Sequence, residues 1–122
     1  MILTNNNIYN YASNLIAAFN DNSQKLPIKI NFCLQKNKKI LLALAQDIEV
    51  ARLEIGKTYG EYNEETQQYH IPAENMAIAN QEMNDLFNIE QDVDILTIKY
   101  DSLNDDVMLT TAQMEAIMFM ID

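Results

Sequence analysis

The chain has 122 residues, 48% of them hydrophobic, with 18 acidic side chains against eight basic ones, a formal charge of −10 and one cysteine. That length holds one compact domain, residues 1–122, with a modest core and no second independent unit. The charge opposes binding to nucleic-acid phosphates and to anionic membranes, and a lone Cys33 excludes an internal disulfide and suits a reducing compartment.

Charge is unevenly spread. Residues 1–46 carry Lys25, Lys29, Lys36, Lys38 and Lys39 against Asp21, whereas residues 47–122 carry seventeen acids against Arg52, Lys57 and Lys99. Such a molecule either offers an acidic face to a partner or neutralises itself within or between copies. The N-terminus lacks a basic region leading into an apolar run. No window approaches the ~18 apolar residues of a membrane span, so neither a signal peptide nor a membrane partner is expected.

In chain order, residues 4–19 predict a helix with Ile8, Tyr11, Ala12, Leu15, Ile16 and Phe19 on one face and Thr4 as N-cap. The polar run 20–25 reads as a connection, and Pro27 suits the first turn of the next helix. From Pro27 to Tyr59, Leu34, Leu41, Ile48 and Ile55 recur every seven residues, and Ile30, Leu44 and Ala51 follow a second track of the same period. The two tracks share one face of a 3.6-residue helix. The alternation of Ile28, Ile30, Phe32 and Leu34 also fits a half-buried strand, but the seven-residue track continues to Ile55 without a breaker, which favours a helix of roughly 45–50 Å. Asn37 falls on this seam. It reads as a partly exposed position near a helix crossing, the alternative being a register-fixing polar residue of a coiled coil.

Gly56 and Gly60, the only glycines, flank the expected end of the long helix, where positive φ is useful. Residues 61–71 suggest a short hairpin pairing Tyr62 with Tyr69. A third helix is expected from Ala73 to Phe87, with Met76, Ala79, Met83, Leu86 and Phe87 inward. Val93 to Tyr100 is the best strand candidate because it is rich in β-branched residues, and residues 101–108 read as an acidic loop. The last helix has a complete start signal: Thr110 as N-cap, Gln113 as its reciprocal partner, and Leu109 with Met114 as a hydrophobic staple. Its expected inward face is Met114, Ile117, Met118 and Ile121.

Leu26-Pro27 with Lys29, Phe32 and Leu34-Gln35-Lys36-Asn37, then Ile48-Glu49, Tyr59-Gly60, Tyr69-His70-Ile71-Pro72, the stretch Asn80 to Phe87 and the closing Leu109-Thr110 together resemble a family of small, poorly characterised proteins of tailed phages and prophages of Gram-positive bacteria. The resemblance covers most of the chain from about residue 26. It implies a phage origin and brings no activity with it; a phage origin places the protein in the bacterial host cytoplasm.

Chemistry is sparsely represented. Zinc needs several converging Cys, His or carboxylate ligands, and only Cys33 and His70 supplement the acids. A Cys33–His70 nucleophilic pair competes with Cys33 as a small buried side chain and His70 as a structural or exposed one. The run from Asp101 to Asp106 lacks the glycine and terminal glutamate of an EF-hand loop. Two glycines without a following Lys-Ser/Thr do not cradle phosphate. Lys36, Lys38 and Lys39 are the one foothold for nucleic acid, and the acidic remainder repels it.

The expectation is therefore a mainly α (α+β) fold: an N-terminal helical hairpin with one long helix, then a small α/β portion with one or two short strands and a C-terminal helix. It uses no metal or cofactor, has no catalytic residue and does not bind nucleic acid directly. Its partner is a protein with a basic surface, met by Glu61, Glu64, Glu65, Asp92, Asp94, Asp101, Asp105 and Asp106. The corresponding function is inhibition of a host nucleic-acid-handling or defence complex, in the manner of an anti-CRISPR. The alternative is a morphogenesis or virion-associated protein that assembles through its long helix, as a homo-oligomer or on a phage component.

Overall fold

The apolar seam between Pro27 and Tyr59 sets the architecture. In the computed structural model, which describes residues 1–20, 25–103 and 107–122, it forms helix α2 (Ile28–Tyr59) without interruption. The remaining elements are strand β1 (Ile2–Thr4), helix α1 (Asn5–Ala18), strands β2 (Glu61–Asn63) and β3 (Gln68–His70), helix α3 (Ala73–Phe87), strand β4 (Glu90–Asp92), a 3₁₀ turn (Tyr100–Ser102), helix α4 (Thr111–Ile117) and a closing 3₁₀ turn (Met118–Met120). The fold is mainly α, with two small antiparallel sheets, β1–β4 and β2–β3.

The ambiguous stretch at the start of α2 is helical. Ile30 and Leu34 are buried while Ile28 and Phe32 are exposed, a separation only a helical period produces. Pro27 stands at the N-cap, one place before the expected first turn, and its carbonyl accepts from the Asn31 N–H at 2.9 Å. Gly56 and Gly60 do not adopt positive φ. Gly60 (φ −100°, ψ 160°) is needed for close approach instead, because a Cβ there would collide with the carbonyl oxygen of Gly56.

Thr4 caps α1 as expected, and Asn7 completes a capping box: the Thr4 hydroxyl accepts from the Asn7 N–H at 3.1 Å. Ile8, Ala12 and Leu15 face the core, but Ile16 does not; it is 44% exposed. Buried Asn5 joins three elements, donating to the Leu86 carbonyl at 2.9 Å and accepting from Gln91 at 2.6 Å. These bonds secure the β1–β4 pairing, in which Leu3 lies opposite Gln91. Tyr9 meets Phe87 edge to face at 5.9 Å, and Tyr11 stacks on Phe119 at 4.3 Å.

Val93 to Tyr100 is not a strand. The strand lies just before it, at Glu90–Asp92, and only Ile98 makes a ladder contact, a single parallel bridge to Ile121. The apolar residues of this segment are there to fill the core: Val93 and Ile98 are buried, and Ile95 packs against the same cluster. What replaces a neighbouring strand is Asn37. Fully buried, it donates from Nδ2 to the Leu96 carbonyl and accepts at Oδ1 from the Leu96 N–H, both at 2.8 Å. Both readings of Asn37 from the sequence are thereby corrected: it is neither partly exposed nor a coiled-coil register residue in this chain.

α3 has its expected bounds, but Met76 is 42% exposed and only Ala79 is buried. α4 begins with the expected capping box between Thr110 and Gln113. Met118 turns out to solvent at 64% exposure, and Met120, brought round by the 3₁₀ turn, fills the core in its place. Cys33 is half-buried against the core.

Replacing Asn37 with Leu removes both partners of Leu96 and should cost about 2–4 kcal/mol, the range for stranding buried backbone groups. Asn37→Asp, which keeps the acceptor but loses the donor and buries a charge, should be no better. Urea denaturation would show the change as a lower midpoint.

Candidate functional site

Beyond Gly60 the chain reverses in a hairpin whose register pairs Glu61 with His70, Tyr62 with Tyr69 and Asn63 with Gln68. Every residue from Glu61 to His70 is exposed. The Tyr62 and Tyr69 rings lie 5.3 Å apart across the strands, a cross-strand aromatic pair of the kind that stabilises a short ladder. The turn is organised by Asn63, whose Oδ1 accepts from the Glu65 N–H at 2.9 Å and the Thr66 N–H at 3.4 Å. Gln67 then takes φ 57°, the only positive φ of a non-glycine residue among those described.

The hairpin carries three of the expected site residues. Glu61 is on β2, and Glu64 and Glu65 are in the turn; none makes an ion pair with another described residue. Against the end of α2 it leaves a groove of about 540 Å³ lined by Arg52, Leu53, Gly56, Gln67, Gln68, Tyr69, Ile71 and Met83.

A second group of acids lies elsewhere. Asp92 ends β4 and is 3.1 Å from the Met1 amine. Asp94 is exposed in the loop that follows, and Asp101 is exposed in the first 3₁₀ turn. Between them sits Leu96, held at Asn37, whereas the hairpin follows Tyr59, about 33 Å farther along α2 at ~1.5 Å per residue. The six described acids thus fall in two separate places, the hairpin and the 92–101 stretch; Asp105 and Asp106 lie outside the described residues.

Two polar clusters escaped the sequence reading. Glu49 accepts from Arg52 at both carboxylate oxygens and from the Tyr9 hydroxyl at 3.2 Å, tying α1 to α2. The Arg52 hydrogen bond holds the Glu49 carboxyl below its ordinary value, and burial opposes this. Tyr59 donates to Glu82 at 2.6 Å, which raises its own pKa, while Asn75 donates to the Tyr59 carbonyl at 3.0 Å. Together these fasten α3 to the end of α2. The three-residue spacing of Glu49 and Arg52 was the available signal for the first; nothing local announces the second.

Cys33 and His70 are not brought together. His70 pairs with Glu61 beyond the far end of α2, about 40 Å by helical rise from Cys33. Among the described residues no group of three or more His, Cys, Asp or Glu side chains is placed to hold a metal ion, and no helix is long and apolar enough to cross a membrane. Comparison with known protein families, with curated proteins and with solved structures found no match.

Gln67→Gly should stabilise the hairpin, because glycine reaches positive φ without the Cβ penalty. An increase in stability of about 0.5–1 kcal/mol is expected, read as a higher thermal midpoint. The Glu49 shift has a defined sign. A carboxyl lowered on folding contributes stability above its unfolded value of 4.5, and that contribution is lost as pH falls through the lower folded value. Carbon-detected NMR should place the Glu49 midpoint below 4.5 and move it upward in Arg52→Met. Because the pair is partly exposed, neutral-pH stability should change by less than about 1 kcal/mol.

Proposed function

We propose that this chain is a non-enzymatic, phage-encoded protein-binding protein that inhibits a host nucleic-acid-handling or defence complex, as anti-CRISPR proteins do, by offering carboxylates to a basic surface. The observation that carries this reading is the hairpin: ten residues, each of them exposed, with Glu61, Glu64 and Glu65 unpaired by other described residues, on a ladder stiffened by two tyrosines. Unpaired carboxylates on a projecting element meet a phosphate-binding groove with little loss of existing interactions. Tyrosines supply apolar contact area with few rotatable bonds. Asp92, Asp94 and Asp101 lie apart from the hairpin, so a partner that used both groups would have to extend along α2.

A second reading, assembly on a virion component through the long helix, draws on the large apolar side chains α2 leaves exposed: Ile28, Phe32, Leu42, Val50 and Leu53.

The test is capture of host proteins on the tagged chain at low and high salt, with two triple variants alongside. Glu61→Gln, Glu64→Gln and Glu65→Gln together should abolish capture of a nucleic-acid-binding complex that high salt also releases. Asp92→Asn, Asp94→Asn and Asp101→Asn should weaken it less. Capture that ignores salt and both variants would overturn the inhibitor reading; recovery of tail or capsid proteins would favour the second.

A further inference from the structure

The exposed apolar residues of α2 are not scattered. At 100° per residue, Ile28, Phe32, Leu42, Val50 and Leu53 fall within about 80° of one another, on the side opposite the buried seam of Ile30, Leu34, Leu41 and Ile48, in an arc they share with exposed Gln35, Lys39, Gln46 and Lys57. They are 36–78% exposed. One flank of this stripe carries Lys29 and Lys36, seven residues apart, followed by Asp47 and Glu54, also seven apart. All four are exposed. Lys29, Lys36 and Asp47 make no ion pair with another described residue, and Glu54 has only the exposed Lys57, at 3.7 Å.

This order of charges says what covers the stripe. When two copies of a helix pair antiparallel about a two-fold axis, like flanks meet, with the sequence direction reversed. A two-fold between Leu41 and Leu42 sets Lys29 level with Glu54 of the second copy and Lys36 level with Asp47 of the second copy. The axis generates each pair twice. The same axis places Phe32 between Val50 and Leu53 of the second copy and brings the two Leu42 side chains together. A parallel two-fold would instead bring opposite flanks together, setting Lys36 near Lys38 and Asp47 near Glu49 of the second copy, like charge against like, so the charge pattern favours the antiparallel direction. We infer that this chain forms an antiparallel homodimer through the outer face of α2, with Phe32, Leu42, Val50 and Leu53 as its apolar seam and the Lys29–Glu54 and Lys36–Asp47 pairs fixing its register. The dimer stands independently of the partner proposed for the hairpin: the two hairpins project from opposite ends of the α2 pair.

Light scattering on the full chain should give twice the 14.0 kDa chain mass at high micromolar concentration. Phe32→Glu, at an exposed position, should give the 14.0 kDa monomer with an unchanged circular dichroism spectrum. Lys36→Glu should weaken self-association by about tenfold or more, and adding Asp47→Lys should restore it. In a Cys33→Ser background, a Lys36→Cys chain mixed with an Asp47→Cys chain should form the mixed disulfide in preference to either homodisulfide. A monomeric parent would overturn the inference, as would a mass indifferent to Phe32→Glu or a preference for homodisulfides. The glutamine variants of the hairpin should still dimerise, so failure here is distinguishable from failure of the inhibitor reading.

Discussion

The arrangement of the C-terminal half depends on one carboxamide. Asn37 presents a donor and an acceptor to the two backbone groups of Leu96, doing for that residue what an adjacent strand would do. Among residues of similar size only asparagine offers both functions: aspartate lacks the donor, and leucine lacks both. With Leu96 satisfied, the chain crosses the core in extended form without a sheet around it, and Val93 and Ile98 enter the apolar cluster. Ile98 in turn receives the end of the chain, donating to the Met120 carbonyl at 2.7 Å and accepting from the Asp122 N–H at 2.8 Å. The 3₁₀ turn that buries Met120 therefore rests on the pair of hydrogen bonds made from the first third of α2.

α2 divides the molecule by face and by length. Its inner face meets α1, the Val93–Ile98 segment and α4 in one cluster, to which Leu34 and Leu41, almost wholly buried, each contribute on the order of 2–3 kcal/mol. Past Ile48 no residue of α2 is fully buried. From there the helix is held by α3 and by polar fastenings at Glu49, Tyr59 and Asn75, and it ends in the acidic hairpin. The basic end of the helix thus belongs to the packed body and the acidic hairpin to the projecting end.

Features set by neighbours in sequence were readable from it. The seven-residue tracks produced α2, the Thr110–Gln113 spacing produced the α4 capping box, and the polar run between Tyr62 and Tyr69 produced the hairpin in its observed register. Features set by distant neighbours were not. β1 and β4 are three residues each and exist because Asn5 and Gln91 meet across the fold. Val93 to Tyr100 looked like a strand because burial and strand propensity favour the same side chains. Met118 and Met120 exchanged places because a 3₁₀ turn of three residues per turn followed where α-helical period was assumed. The same limit applies to the acidic site. Composition showed that the acids are concentrated in the second half, but which of them share a surface depends on where α2 carries the hairpin relative to Leu96.

The thin support of the distal helix has a consequence for motion. A segment opens locally at a free energy set by the contacts it must break, so amide hydrogen exchange reports packing residue by residue. The amides around Leu34 to Ile48 are covered by the main cluster and should exchange only when the whole chain unfolds. Those from Ile55 through the hairpin, braced by a helix that buries a single alanine, can open while the body remains intact. The protein would then behave as a rigid body with a compliant arm, the acidic projection able to adjust its angle to a target without disturbing the core that carries it.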